Sequence, residues 1–87
     1  MTKKQLVEVI GSGEKTYLYF FAEYCSSCKS VKWLVERERT KLYQIDGEAH
    51  RELTEAFDIQ YYPTIIEISG TKKRTYEGTA AVKNLLK

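Results

Sequence analysis

Hydrophobic and polar positions alternate along the chain in patterns that predict four helices and four strands. Residues 17–22 are apolar or aromatic on both faces, which is typical of a strand in the middle of a sheet. In residues 25–39, apolar positions recur at helical spacing, so we expect a helix with one buried face. The other predicted elements are helices at 3–10, 48–57 and 80–87 and strands at 42–45, 64–68 and 72–76.

The order of these elements is α-β-α-β-α-β-β-α. Helices separate the first three strands, so we expect these strands to be parallel, with right-handed crossovers. A short turn at 69–71 predicts an antiparallel hairpin for the last two strands. The result is one α/β domain over residues 1–87, with a mixed four-stranded sheet and helices on both faces.

The helical spacing also predicts which side chains enter the core. On the second helix we expect one buried stripe, with Trp33 outside it and partly exposed. The stripe consists of Cys28, Val31, Leu34 and Val35. The third helix is expected to bury Ala49, Leu53, Ala56 and Phe57, and the last helix Val82, Leu85 and Leu86.

Composition and charge exclude several classes of protein. The chain is 43% hydrophobic and 30% charged, which is an ordinary balance for a globular domain. Its net charge is only +2 and the signs are interspersed, so no nucleic-acid partner is predicted. No apolar run is long enough to span a membrane, and the N-terminal residues lack the apolar core of a secretory signal. The expected location is cytoplasmic, where a structural disulfide would not persist.

The candidate chemistry lies between the first strand and the helix that follows it. Cys25 and Cys28 stand at the start of that helix, where unsatisfied N–H groups and a partial positive charge favour a thiolate. At this spacing the two sulfurs can close a small disulfide ring and open it again. Such a pair indicates redox chemistry or a metal site. Because a metal site needs four ligands and only His50 could join the two cysteines, no metal is predicted.

Residues 20–29, Phe-Phe-Ala-Glu-Tyr-Cys-Ser-Ser-Cys-Lys, resemble the active-site segment of the thioredoxin family. Residues 62–64, Tyr-Pro-Thr, look like that family's hydrophobic-Pro-Thr segment, and Gly78 like its late glycine. The resemblance covers nearly the whole chain and implies a minimal thioredoxin-like fold. It also implies a monomeric thiol–disulfide oxidoreductase that reduces protein disulfides and needs no cofactor beyond the Cys25–Cys28 disulfide. A thioredoxin-reductase-like protein would be its electron donor.

The resemblance assigns roles to the two cysteines and the proline. Cys25 would be the thiolate that attacks the substrate disulfide, and Cys28 the more buried thiol that resolves the mixed disulfide. Pro63 is expected to be cis and to face the cysteines. No histidine or other cation separates the cysteines, so a reducing role is favoured over an oxidising one.

Neighbouring residues have expected roles in binding and support. Tyr24, Tyr61 and Tyr62 flank the site and, with Pro63, either form a substrate platform or simply pack at strand ends. Two serines lie between the cysteines and would satisfy helix N–H groups or donate hydrogen bonds to a thiolate. Lys29 would add positive charge nearby. These three supporting residues are Ser26, Ser27 and Lys29.

Two departures from the family pattern leave other functions open. Tyr19 stands where the family usually has a buried aspartate, and Leu42 where it has the partner lysine. Proton transfer from Cys28 must then use water, a serine hydroxyl or the substrate. The alternatives are a thioredoxin-fold binding module with a vestigial cysteine pair, and a glutaredoxin-like reductase that uses glutathione.

Overall fold

The computed structural model describes residues 4, 8, 11, 13, 15–38 and 42–86. The predicted helix at 3–10 lies outside these residues except for Lys4 and Glu8, whose backbone is helical. The strands are β1 (Thr16–Phe21), β2 (Leu42–Asp46), β3 (Thr64–Ser69) and β4 (Lys72–Glu77). The helices are α1 (Ser26–Arg37), α2 (Arg51–Ala56) and α3 (Thr79–Leu86).

The four strands form one mixed sheet in the order β2-β1-β3-β4. Strand β1 is parallel to β2, with Tyr19 opposite Gln44, and antiparallel to β3, with Tyr19 opposite Ile65. The hairpin of β3 and β4 is antiparallel, as predicted. The central position of β1 explains why it is apolar on both faces.

The predicted direction of β3 is wrong, because β3 runs antiparallel to β1 instead of parallel. The chain leaves the sheet where the Gly47 N–H donates to the Phe21 carbonyl, and it re-enters where Thr64 pairs with Phe20. Both points lie at the same end of β1. The six residues of α2 rise only about 9 Å, whereas a six-residue strand is about 20 Å long. The connection therefore does not return the chain to the far end of the sheet.

Side chains from the two faces of the sheet form two buried clusters, so the prediction of helices on both faces is confirmed. On one face, Tyr19 and Ile65 pack against α1 and α3. On the other face, Phe20 and Ile66 pack against Leu53 of α2. Successive residues of β1 alternate between the two clusters because strand side chains alternate in direction.

The predicted buried stripe of α1 is confirmed in full, since its four residues are the buried ones of this helix. Trp33 is 64% exposed, as expected for a position outside the stripe, and the Arg37 guanidinium lies 5.8 Å from its ring centre. In α3, Val82 and Leu86 are buried and Leu85 packs against them, which confirms the prediction.

Helix α2 begins later than predicted. The Asp46 carboxylate accepts hydrogen bonds from the Glu48 and Ala49 backbone N–H groups, at 3.0 and 3.2 Å, and so forms a turn where a helix was expected. Ala49 lies in this turn and is exposed, and Ala56 in the last turn of the helix is exposed as well, so the prediction that they are buried is wrong. Phe57 is half-buried and packs against the core. Leu53 is fully buried.

Within the described residues, no helix has the length and apolar character that crossing a membrane requires.

Candidate active site

Cys25 occupies the N-cap position of α1. Its backbone is extended, with φ −79° and ψ 110°, so the chain changes direction there before the helix starts. The Cys25 sulfur accepts a hydrogen bond from the Cys28 N–H at 3.2 Å, and its own N–H donates to the Ala22 carbonyl at 3.1 Å. The sulfur thus takes the place of the side-chain oxygen that usually satisfies a free N–H at a helix start. This contact stabilises negative charge on Cys25.

The Cys25 thiol also contacts the loop before β3. The Tyr62–Pro63 peptide bond is cis, as the resemblance implied, and the Cys25 Sγ lies 3.6 Å from the Tyr62 carbonyl oxygen. Pro63 itself is fully buried, and the carbonyl of Tyr62 before it contacts the thiol. The Pro63 carbonyl accepts a hydrogen bond from Gly78, whose φ of +92° suits glycine.

Cys28 differs from Cys25 in both exposure and acidity. It is only 7% exposed, whereas Cys25 is half-buried. Burial, followed by a hydrogen bond with the Cys25 side chain, raises the pKa of Cys28 to about 11, and a negative charge on Cys25 adds to this effect. The Ala22 backbone and the Tyr19 side chain lower that pKa, but by less. Cys28 therefore stays a thiol near neutral pH.

A groove of about 600 Å³ runs beside Cys25 and is lined by the three tyrosines that the sequence singled out. Tyr24 is 73% exposed and Tyr61 is 63% exposed, so both offer aromatic surface to a ligand. The Tyr24 hydroxyl donates to the Glu48 carboxylate at 2.8 Å, and Glu48 pairs with Arg51 at 3.2 Å. The groove therefore combines aromatic walls with one polar edge.

The two serines form fewer contacts at the site than expected. Ser26 and Ser27 are exposed, and neither hydroxyl forms a hydrogen bond with another described residue. The Cys25 sulfur takes the capping role that was expected of the serines. Lys29 is exposed and lies at the edge of a second cavity, on the Cys28 side. Neither role predicted for the serines is formed in this structure.

The second cavity has a volume of about 340 Å³, and Tyr19 and Cys28 both line it. Tyr19 is buried, and burial followed by the negative charge of a Cys28 thiolate raises the pKa of its phenol well above the usual range. The resemblance put Tyr19 at the position of the family's buried aspartate, behind the disulfide, and the structure places Tyr19 at the cavity that Cys28 lines. The sequence did not show how a phenol at this position acts on Cys28.

His50, the one residue considered as a further metal ligand, lies at the start of α2 with its Nδ1 3.6 Å from a Glu52 carboxylate oxygen. In the part of the chain that the structure describes, no three His, Cys, Asp or Glu side chains are grouped so that they could hold a metal ion.

Comparisons with known proteins agree with this geometry. The family model described as "Thioredoxin" matches residues 1–87. This chain belongs to the thioredoxin family. Among solved structures, thioredoxin from Trypanosoma brucei brucei superimposes with a TM-score of 0.82 at 19% identity, covering 95% of this chain and 79% of that one. Plasmodium falciparum thioredoxin superimposes with a TM-score of 0.77 at 26% identity, covering 97% of this chain and 90% of that one.

Curated relatives carry the names of protein disulfide isomerases. The protein disulfide isomerase-like 1-3 of Arabidopsis thaliana is 26% identical over an alignment of length 85, which covers 90% of this chain and 15% of that protein. Protein disulfide-isomerase 1 of Caenorhabditis elegans is 27% identical over an alignment of length 95, gaps included, which covers 99% of this chain and 20% of that protein. The chain thus spans a fifth or less of the length of these relatives.

Proposed function

We propose that this thioredoxin-family chain reduces protein disulfides by dithiol–disulfide exchange, with Cys25 as nucleophile and Cys28 as resolving thiol. The observation that carries the proposal is the asymmetry of the pair. Cys25 is accessible and caps a helix with its sulfur, whereas Cys28 is buried one turn further on. An accessible thiolate beside a protected thiol suits the two successive steps of exchange.

The steps balance without a cofactor. The Cys25 thiolate attacks one sulfur of the substrate disulfide, forms a mixed disulfide and releases the other substrate sulfur as a thiolate. Cys28 then gives its proton to the released substrate thiolate or to water and attacks the Cys25 sulfur. The Cys25–Cys28 disulfide forms and the second substrate sulfur leaves, so two electrons pass from the two cysteines to the substrate. A thioredoxin-reductase-like donor would supply two electrons to restore the dithiol.

The groove beside Cys25 is the proposed docking surface for the substrate. Tyr24 and Tyr61 present exposed rings there, and the Tyr62 carbonyl lies at its inner end, next to the Cys25 sulfur. An extended segment of the substrate can pair with the backbone before Pro63 while its side chains contact the rings.

Trapping of the mixed disulfide tests the proposed mechanism. The Cys28→Ser variant keeps the nucleophile but lacks the resolving thiol, so it should accumulate covalent adducts with a protein disulfide substrate. The Cys25→Ser variant is the matched control and should form none, because its remaining thiol is buried. Adducts are counted by non-reducing electrophoresis and intact mass. If Cys28→Ser forms no adduct with any disulfide substrate, the mechanism is wrong.

The direction of electron flow needs a separate measurement. Alkylation and mass shift across dithiol buffers give the reduction potential of the Cys25–Cys28 pair. We expect a value near that of thioredoxin, about −270 mV, which suits a reductant. A value near about −180 mV, like that of protein disulfide isomerase, would instead indicate an oxidant or isomerase.

A second candidate function is protein binding that does not use the cysteines. The two strongly exposed tyrosines, Tyr24 and Tyr61, are the observation in its favour. A variant with both cysteines changed to serine distinguishes the two functions. Retained binding of one protein partner by this variant would support the binding module, whereas loss of all activity would support exchange.

A further inference from the structure

Tyr19 carries a buried phenol that has no part in the exchange steps given above. It lies on the face of β1 that α1 covers and is only 4% exposed. Its ring stacks on Phe21, with centroids 5.7 Å apart and planes inclined by 15°, and it packs among Val31, Leu34 and Val35 of α1. These contacts fix the ring, so the position of its hydroxyl is fixed as well.

Tyr19 and Cys28 both line the cavity of about 340 Å³, and their side chains are close enough for each to change the pKa of the other. Apart from Cys28, Tyr19 is the only buried residue with a polar side chain among the described residues that line this cavity. The charged residues there are exposed and lie at its edge, and Gln44 of β2 contributes an uncharged group. These charged residues are Glu23 before α1 and Lys29, Lys32 and Glu36 on α1.

We propose that the Tyr19 hydroxyl donates a hydrogen bond to the Cys28 thiolate and so promotes the resolving step of the exchange. The inference rests on the proposed exchange function and adds a catalytic residue to it. Hydrogen bonds of this kind are often long in the free protein and shorten only when the charge develops. Among the described residues that line the cavity, Tyr19 has the only buried side chain that can donate a hydrogen bond to Cys28.

The phenol acts as a donor and not as a base. Burial and the neighbouring Cys28 raise the pKa of Tyr19, so the hydroxyl keeps its proton even when Cys28 is ionised. In the opposite direction, the Tyr19 hydroxyl lowers the pKa of Cys28, because a donated hydrogen bond favours a thiolate over a thiol. A buried carboxylate would take up the proton from Cys28, whereas Tyr19 stabilises the charge that the proton leaves behind.

The mixed disulfide is the state in which this hydrogen bond matters. Once Cys25 is bonded to the substrate, its sulfur is neutral and no longer opposes the ionisation of Cys28. The Cys28 proton passes to the substrate thiolate that was released first, or to water, for which the cavity has room. The Cys28 sulfur then attacks Cys25, the Cys25–Cys28 bond forms, and the Cys25–substrate bond breaks with release of a thiolate. Tyr19 neither gains nor loses a proton.

The first test measures the pKa of Cys28 from the pH dependence of its alkylation. A Cys25→Ser background leaves Cys28 as the only thiol and reproduces a neutral residue at position 25. In this background, Tyr19→Phe removes only the hydroxyl and should raise the Cys28 pKa by about one unit, the effect of a lost hydrogen bond to a charged group. Tyr17→Phe is the matched control. Tyr17 is on the same strand, but its hydroxyl bonds to Glu67, so this variant should leave the Cys28 pKa unchanged.

The second test measures the resolving step with both cysteines present. The reduced protein is mixed with the aromatic disulfide 5,5′-dithiobis(2-nitrobenzoate). Attack by Cys25 releases one coloured thiolate from the reagent, and attack by Cys28 on the mixed disulfide releases the second. A pKa raised by about one unit leaves about tenfold less Cys28 thiolate near neutral pH, while each thiolate becomes about threefold more nucleophilic. The second phase should therefore be about threefold slower in Tyr19→Phe, and the first phase unchanged.

The outcomes separate this inference from the proposed function. An unchanged or lowered Cys28 pKa in Tyr19→Phe would overturn the role of the hydroxyl. An equal slowing of the second phase in Tyr17→Phe would also overturn it, because the effect would then come from packing. If Tyr19→Phe raises the Cys28 pKa as expected but the chain reduces no protein disulfide, the proposed function fails and only the hydrogen bond from Tyr19 to Cys28 stands.

Discussion

Replacement of Gly47 by alanine tests how tightly the loop next to Cys25 is packed. Gly47 is buried in the turn after β2, against the ring of Tyr62. A Cβ atom at position 47 would lie 2.5 Å from Cε1 and 2.6 Å from Cζ of that ring, and even closer to the hydroxyl oxygen. Carbon atoms in contact are normally about 3.5–4.0 Å apart. The ring must therefore move by about 1 Å or more.

The ring of Tyr62 is half-buried, so packing holds one part of it while another part lines the groove. It packs against the buried cluster that contains Leu18 and Phe20, and the carbonyl of the same residue contacts the Cys25 thiol. An added methyl group in such packing costs about 1–3 kcal/mol of unfolding free energy. For a domain of this size, about 2 kcal/mol lowers the Tm by roughly 8–16 °C. Because the Tyr62 carbonyl moves with the loop, attack by Cys25 should also become slower.

Urea unfolding followed by circular dichroism gives the free energy of unfolding for Gly47→Ala. Gly11→Ala is the control, because its backbone is helical and no atom lies within 4 Å of an added Cβ, so it should be neutral or slightly stabilising. A double-mutant cycle with Tyr62→Leu shows whether the ring is the cause. The reasoning is refuted if Gly47→Ala changes stability by less than about 0.5 kcal/mol, or if its cost is the same with Tyr62→Leu.

Three further outcomes are expected. Leu53→Ala should lower the unfolding free energy by about 2–5 kcal/mol in urea, since Leu53 is fully buried under the sheet; a loss below 1 kcal/mol would contradict this packing. Tyr24→Phe should leave the midpoint of urea unfolding unchanged within error, because its bond to Glu48 is exposed, and a clear shift would contradict this. The unfolding free energy of the reduced protein should fall as pH rises from about 9 to about 11, by up to about 1.4 kcal/mol per pH unit. The reason is that the pKa of Cys28 is raised in the folded state, so the folded protein keeps a proton that the unfolded protein releases. In Cys28→Ala, the unfolding free energy should fall less steeply with pH.

Local patterns were enough to predict most elements of the fold. The unbroken apolar run in β1, the helical spacing of buried residues in α1 and the turn before β4 are each set by neighbouring residues, and their bounds agree within about two residues. The start of α2 was missed because Asp46 forms a turn with the next residues, a competition that helical spacing does not reveal.

The direction of β3 was also not predictable from local pattern. An antiparallel strand and a parallel strand have similar apolar content, and a helix between two strands usually means a parallel crossover. Here α2 is too short to return the chain along the sheet, and this became clear only when its start at Arg51 was known. The error in the strand direction therefore follows from the error in the helix length.

The sequence by itself determined most of the helices and strands, the buried face of α1 and the pair of thiols at the start of that helix. These features depend on residues that are close together in the chain. Only the tertiary structure decided which groups surround those thiols. The Tyr62 carbonyl, 37 residues away in the chain, contacts the Cys25 thiol. The phenol of Tyr19, on strand β1, influences the pKa of Cys28 on helix α1. The acidity of Cys28 depends on burial and on these contacts, which arise when the sheet and α1 pack together and which no local pattern encodes.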